Sequence, residues 1–184
     1  MAGHSHWAGI KHKKEITDQK RGRIFAKLLS AITAAARREP NPDFNPRLRT
    51  AVFKARELSV PNEKIAQAIK RSSEFGEKLE ELTFEAYGPG GVAILIEVIS
   101  DNKNKTVSEI KKIIGDYGGK WAESGSVVWA FDEAPQDNGG GWKAKFVINA
   151  SDADRKGLEL LVESLGDHSD VQKIFTNADF IEPK

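Results

Sequence analysis

The stretch Val92-Ala-Ile-Leu-Ile-Glu-Val-Ile99 constrains the fold more than any other part of this chain. It is almost continuously apolar over a strand's length, which fits a central β-strand buried on both faces. The turn Gly88-Pro-Gly-Gly91 precedes it, and Thr83–Tyr87 before that turn reads as a short strand. Downstream, Thr106-Val-Ser-Glu109 has the form of a capping box and predicts a helix from about Val107 to Tyr117. Val127, Trp129 and Phe131 alternate as a strand, and Asp132–Gly141 is loop by composition. Trp142, Ala144, Phe146 and Ile148 alternate again. A helix begins near Ser151 and Asp154, with Leu158, Leu161, Val162 and Leu165 inward, and Val171–Thr176 reads as a weak closing strand.

From Val92 onward the order is β-α-β-β-α-β, the ferredoxin-like pattern. The Thr83–Tyr87 strand should pair with Val92–Ile99, where another strand competes for the same edge, so the strand order stays open. The first half is helical. Ile24, Phe25, Leu28, Leu29, Ile32 and Ala36 form one apolar face within Asp18–Arg38. Asn45 is placed as the N-cap of a second helix with Pro46 at its first position. A third helix follows Pro61, with Ile65, Ala68 and Ile69 inward. The expected fold class is therefore α+β: a three-helix domain followed by a ferredoxin-like α/β domain with an antiparallel or mixed sheet. Residues 1–16 read as a flexible basic tail, 17–78 as the helical domain and 79–184 as the α/β domain.

The formal net charge of +1 conceals a division. Residues 1–78 carry 17 basic and 8 acidic side chains, whereas residues 79–184 carry 11 basic and 19 acidic ones. A basic module joined to an acidic one points to a polyanion as partner of the first. Lys11, Lys13, Lys14, Lys20, Arg21, Arg23 and Lys27 place seven cations within seventeen residues. His4, His6 and His12 add hydrogen-bonding capacity, and Trp7 can stack on an unpaired base. Arg47, Arg49 and Arg71 carry the basic character into the second and third helices. These fourteen residues are the candidate nucleic-acid-binding set. The acidic part would repel phosphate and is expected to meet protein.

Catalysis finds no pattern to support it. The chain has no Cys, so it offers no thiolate metal site or thiol nucleophile. The His-x-His spacing of His4 and His6 lacks carboxylate or thiolate partners to complete a metal shell. Gly88–Gly91 lacks the Lys-Ser/Thr of a phosphate-binding loop and leads into a strand. No catalytic residue, metal or cofactor is therefore expected. No apolar run is long enough to span a bilayer and no secretory signal opens the chain, which gives a cytoplasmic expectation.

Several motifs carry a family resemblance. Met1-Ala-Gly-His-Ser-His-Trp-Ala-Gly-Ile-Lys-His-Lys-Lys14 and Asp18-Gln-Lys-Arg-Gly-Arg-Ile-Phe25 resemble the opening of YebC-family proteins. Asn45-Pro-Arg-Leu-Arg49, Val60-Pro61, Ala68-Ile-Lys-Arg71 and Glu85-Ala-Tyr-Gly-Pro-Gly-Gly91 match as well. So do Asp101-Asn-Lys-Asn-Lys-Thr106, Gly125-Ser-Val127 and Asn177-Ala-Asp179. The resemblance implies a non-enzymatic regulatory protein, cytosolic or organellar. It carries two functional labels: a ribosome-associated translation factor meeting ribosomal RNA or tRNA, and a regulator binding double-stranded DNA. Of these, the ribosome-associated factor is the leading expectation. The resemblance also implies a third α/β domain inserted after the strand ending near Phe131, for which Asp132–Gly141 here substitutes a short loop.

Overall fold

The computed structural model describes residues 18–74, 79–134 and 141–179. Three helices come first: α1 (Asp18–Ala36), α2 (Pro46–Glu57) and α3 (Asn62–Glu74). Leu28, Ile32, Leu48, Val52, Ala55, Ile65 and Ala68 meet in one core, each contributed at helical spacing. The helix ends are closed by side chains. Asn45 Oδ1 accepts the Leu48 N–H at 2.9 Å as the N-cap of α2, with Pro46 in the first turn. Its amide simultaneously donates to the Ala35 carbonyl at 2.9 Å and the Glu39 carbonyl at 2.7 Å. One buried side chain thus opens α2, satisfies the Ala35 carbonyl in the last turn of α1, which has no partner further along the helix, and ties down the Glu39 carbonyl in the connection between them.

The second part contains β1 (Glu80–Tyr87), β2 (Ala93–Ser100), α4 (Lys103–Asp116) and β3 (Lys120–Ala122). It continues with β4 (Phe131–Ala134), β5 (Gly141–Ala144), α5 (Asp152–Asp167) and β6 (Val171–Thr176). Four strands form an antiparallel sheet in the order β3-β1-β2-β6, while β4 and β5 make a separate hairpin. The architecture is α+β. The order is that of a ferredoxin-like sheet, with one change. The strand lying between β2 and β3 is β1, which precedes them in the chain, rather than a strand that follows them. The short Gly88–Gly91 connection explains this: β1 and β2 pair over their full length, from Tyr87 opposite Ala93 to Glu80 opposite Ser100, with little loop to close.

Helices α4 and α5 cover one face of the sheet, where Ile94, Ile96, Ile110, Ile114, Leu158 and Leu161 are fully buried. The β4–β5 hairpin covers the other, packing Phe131 and Trp142 around Leu95 and Phe175. Strand β2 is therefore buried on both faces, as its sequence requires.

Three expectations need correction. The strands expected at Val127–Phe131 and Trp142–Ile148 do not enter the main sheet. Val128–Ala130 is a single 3-10 turn and β4 starts only at Phe131, while Ile148 makes an isolated bridge to Ala178. The cause is buried Glu85, whose carboxylate accepts the N–H groups of Gly125 and Val127 at 2.6 Å and Val128 at 3.0 Å, bending this backbone into a turn. Secondly, α4 begins before the capping box: Asn102 is the N-cap, its side chain accepting the Lys105 N–H at 3.2 Å. Thr106 instead sits one turn inside, buried, with its hydroxyl 2.7 Å from Ser100 Oγ and 2.6 Å from Asp170. Thirdly, the expected loop Asp132–Gly141 is shorter, because Asp132–Ala134 and Gly141 pair within the hairpin.

Candidate nucleic-acid interface

His4, His6, Trp7, Lys11, His12, Lys13 and Lys14 lie outside the described residues. The other seven candidates are distributed over three helices and do not form one cluster. Lys20 and Arg21 are exposed at the start of α1, where the Arg21 guanidinium lies 5.3 Å over the Phe25 ring. Arg49 and Arg71 are exposed on α2 and α3. Arg71 lines a cleft of about 440 Å³ between α1, α3 and the sheet, with Lys64 on its own wall and Asp101 and Asp170 on the other.

Arg23, Lys27 and Arg47 turn towards the acidic part of the chain. Arg23 donates to the Asp167 carbonyl at 3.3 Å and lies 3.8 Å from its carboxylate. Lys27 is buried and donates to the Gly166 carbonyl. Both carbonyls belong to the last turn of α5, whose own sequence has no basic residue there. Two cations of α1 thus occupy the negative end of the α5 dipole. Arg47 grips Glu81 through two hydrogen bonds of 2.9 and 2.5 Å. Arg37, absent from the candidate set, donates to the Leu79 carbonyl. The acidic domain therefore meets the basic helices of its own chain.

Burial, partly offset by Asp167, lowers the Lys27 pKa to about 8. The folded state releases this proton more readily than an unfolded lysine, whose ordinary value is 10.5. Through Lys27, stability should thus rise as pH climbs from about 8 towards 10.5, by at most about 1.4 kcal/mol per pH unit. Urea unfolding of the wild type and Lys27→Met across that window checks this. The substitution should remove one proton's worth of slope, and parallel curves would contradict the burial argument.

Among the described residues of the helical domain, the two most exposed large apolar side chains are Phe44 at 77% and Phe53 at 62%, and neither belongs to the candidate set. For Phe53 the available signal was spacing, since Arg49, Phe53 and Arg56 fall at i, i+4 and i+7 of one helix. Among the described residues, no group of three or more His, Asp or Glu is arranged to hold a metal ion, and no helix is long and apolar enough to cross a membrane.

Comparison with known proteins settles the lineage. Residues 5–74 match the profile of the TACO1/YebC protein N-terminal domain, and residues 79–136 that of the TACO1/YebC second and third domain. The chain belongs to the TACO1/YebC family. One TACO1/YebC relative, from Solibacter usitatus, is named "Probable transcriptional regulatory protein" and is 36% identical over 240 residues, covering 99% of this chain and 97% of the relative. A Carboxydothermus hydrogenoformans protein of the same name is 41% identical over 191 residues, covering 99% of this chain and 75% of that protein. With a relative from Koribacter versatilis, also named a probable transcriptional regulatory protein, the identity is 52% over 133 residues, covering 71% of this chain and 54% of the relative. A crystal structure of a conserved hypothetical protein from Aquifex aeolicus superposes with a TM-score of 0.84 at 30% identity, over 97% of this chain and 98% of that one. The Solibacter alignment, at 240 positions, is longer than this 184-residue chain, so that TACO1/YebC protein contains residues without a counterpart here. The second-and-third-domain match ends at residue 136, between β4 and β5.

Proposed function

We propose that this TACO1/YebC protein is a nucleic-acid-binding regulatory factor that acts by docking, without catalysing a reaction. The observation that carries this reading is that each of the three helices holds cations open to solvent: Lys20 and Arg21 on the first, Arg49 on the second and Arg71 on the third. The names of the relatives favour transcription as the process regulated and DNA as the target. A second reading, a ribosome-associated factor contacting ribosomal RNA or tRNA, draws on the opening residues. There His4, His6, Trp7, His12 and three lysines alternate hydrogen-bonding, stacking and charged groups along a short segment. On either reading Arg23, Lys27 and Arg47 serve chiefly to hold the two parts of the chain together.

Crosslinking the protein in cells and sequencing the attached nucleic acid tests both readings. Recovery of genomic DNA supports the first and recovery of ribosomal RNA or tRNA the second, while absence of crosslinked nucleic acid refutes the proposal. In vitro, affinity should fall with salt, and removing one exposed phosphate contact should lower the logarithmic slope by about 0.7–0.9.

A further inference from the structure

We infer that the outer stripe of α2, formed by Arg49, Phe53 and Arg56, is a binding site for unpaired nucleotides, with Phe53 stacking on a base and the two arginines holding flanking phosphates. The inference rests on the nucleic-acid reading above and specifies its site and target chemistry.

Three observations converge on it. Phe53 is 62% exposed, although Leu48, Val52 and Ala55 of the same helix are buried in the helical core. Arg49 lies one turn before Phe53 and Arg56 one turn after it, so the ring sits between two guanidinium groups about 10 Å apart along the axis. Among the described residues the Arg56 side chain makes one hydrogen bond, from Nε to Asn62 Oδ1 at 3.3 Å, which leaves its two terminal nitrogens to meet phosphate. The stripe also points away from the acidic domain. Arg47, which reaches Glu81, projects from the far side of the same helix, roughly 160° round from Arg49. The stripe therefore stays open while Arg23, Lys27 and Arg47 are engaged.

The chemistry selects the occupant. An exposed phenyl ring between two cations matches a strand whose bases are free to stack and whose phosphates follow at short intervals. Entering a duplex would require unstacking paired bases, which costs several kcal/mol. A second copy of this chain fits less well, because a two-fold contact through this stripe would bring Arg49 and Arg56 against their own counterparts.

Fluorescence anisotropy on the full chain tests this with labelled oligouridine, oligothymidine and a DNA duplex of equal length. Unpaired strands should bind more tightly than duplex, with the two homopolymers separating an RNA target from single-stranded DNA. Phe53→Leu should weaken unpaired-strand binding about tenfold and leave duplex binding unchanged, while Phe53→Trp should restore it. Arg49→Gln should lower the salt slope by about 0.7. Because Phe53 is exposed, Phe53→Leu should keep the wild-type melting temperature. Wild-type affinity in Phe53→Leu, a preference for duplex, or a dimer that this substitution dissociates would each overturn the inference while leaving the broader nucleic-acid reading intact. Absence of binding to all three probes by the wild type would remove both.

Discussion

Replacing Glu85 by Ala is expected to lower the unfolding free energy by about 4 kcal/mol, since buried donors left without a partner cost roughly 1–3 kcal/mol each. Glu85 is 6% exposed, and its carboxylate accepts three backbone N–H groups, from Gly125, Val127 and Val128. No neighbouring element replaces it. Water entering the vacated space would offset part of the loss, which keeps the expected figure below the sum of three full penalties. Glu85→Gln retains one acceptor oxygen but presents an amide to N–H donors at the other, so about half the loss should remain. Urea denaturation of both variants measures these values. Trp129 gives a local readout, because its indole N–H donates to the Ser126 carbonyl at 2.7 Å within the same turn. Its fluorescence should shift in Glu85→Ala even under conditions where the chain stays folded. An unfolding free energy within 1 kcal/mol of wild type, about the lower limit for one unpaired buried donor, would show that this turn needs no carboxylate.

Asn45→Ala should cost about 3 kcal/mol, combining a lost N-cap worth about 1 kcal/mol with two carbonyls deprived of their donor. Asn45→Asp separates the contributions. It keeps an acceptor for the Leu48 N–H but sets negative charge against the Ala35 and Glu39 carbonyls, where an amide now donates. If capping of α2 dominates, Asn45→Asp stays close to wild type. If the join between α1 and α2 dominates, as the two amide hydrogen bonds indicate, it falls nearer to Asn45→Ala. Thermal unfolding followed by circular dichroism distinguishes the two, the loss appearing as lower helical stability.

What the sequence made legible, and what it concealed, follows the range of the interactions. Asn45 and Pro46 act within a few residues, so the start of α2 was readable from composition alone. The Val92–Ile99 run needed no partner to be named for its double-sided burial to be inferred. Strand order is different: a β-α-β-β-α-β string suits several pairings, and the full-length pairing of β1 with β2 takes the place beside β2, while the carboxylate of Glu85, reaching about forty residues ahead, holds the Gly125–Val128 backbone in its turn. The start of α4 was ambiguous for a similar reason. Asn102 and Thr106 both stand at plausible caps, and the choice is made by Ser100 and by distant Asp170, which hold the Thr106 hydroxyl inside the fold. At the candidate interface, charge counting identified the basic helices but not their orientation. A helical wheel gathers Lys20, Arg23 and Lys27 on one side of α1 without showing that this side meets the end of α5. The absence of a basic residue in the last turn of α5 was visible, but the helix that would supply one was not.

The separation of the β4–β5 hairpin from the main sheet bears on how such a chain can change length. Because β1 already fills the place between β2 and β3, the four-stranded sheet is complete without any residue between Ala122 and Val171. Strands β4 and β5 are held together by their own ladder, whatever length of chain joins them, which makes their connection a place where length can change. Lengthening that connection adds loop entropy only logarithmically and leaves the register of β1, β2, β3 and β6 untouched. A protein built in this way can acquire or shed a folded module in a single step, with its helical domain and central sheet unaltered.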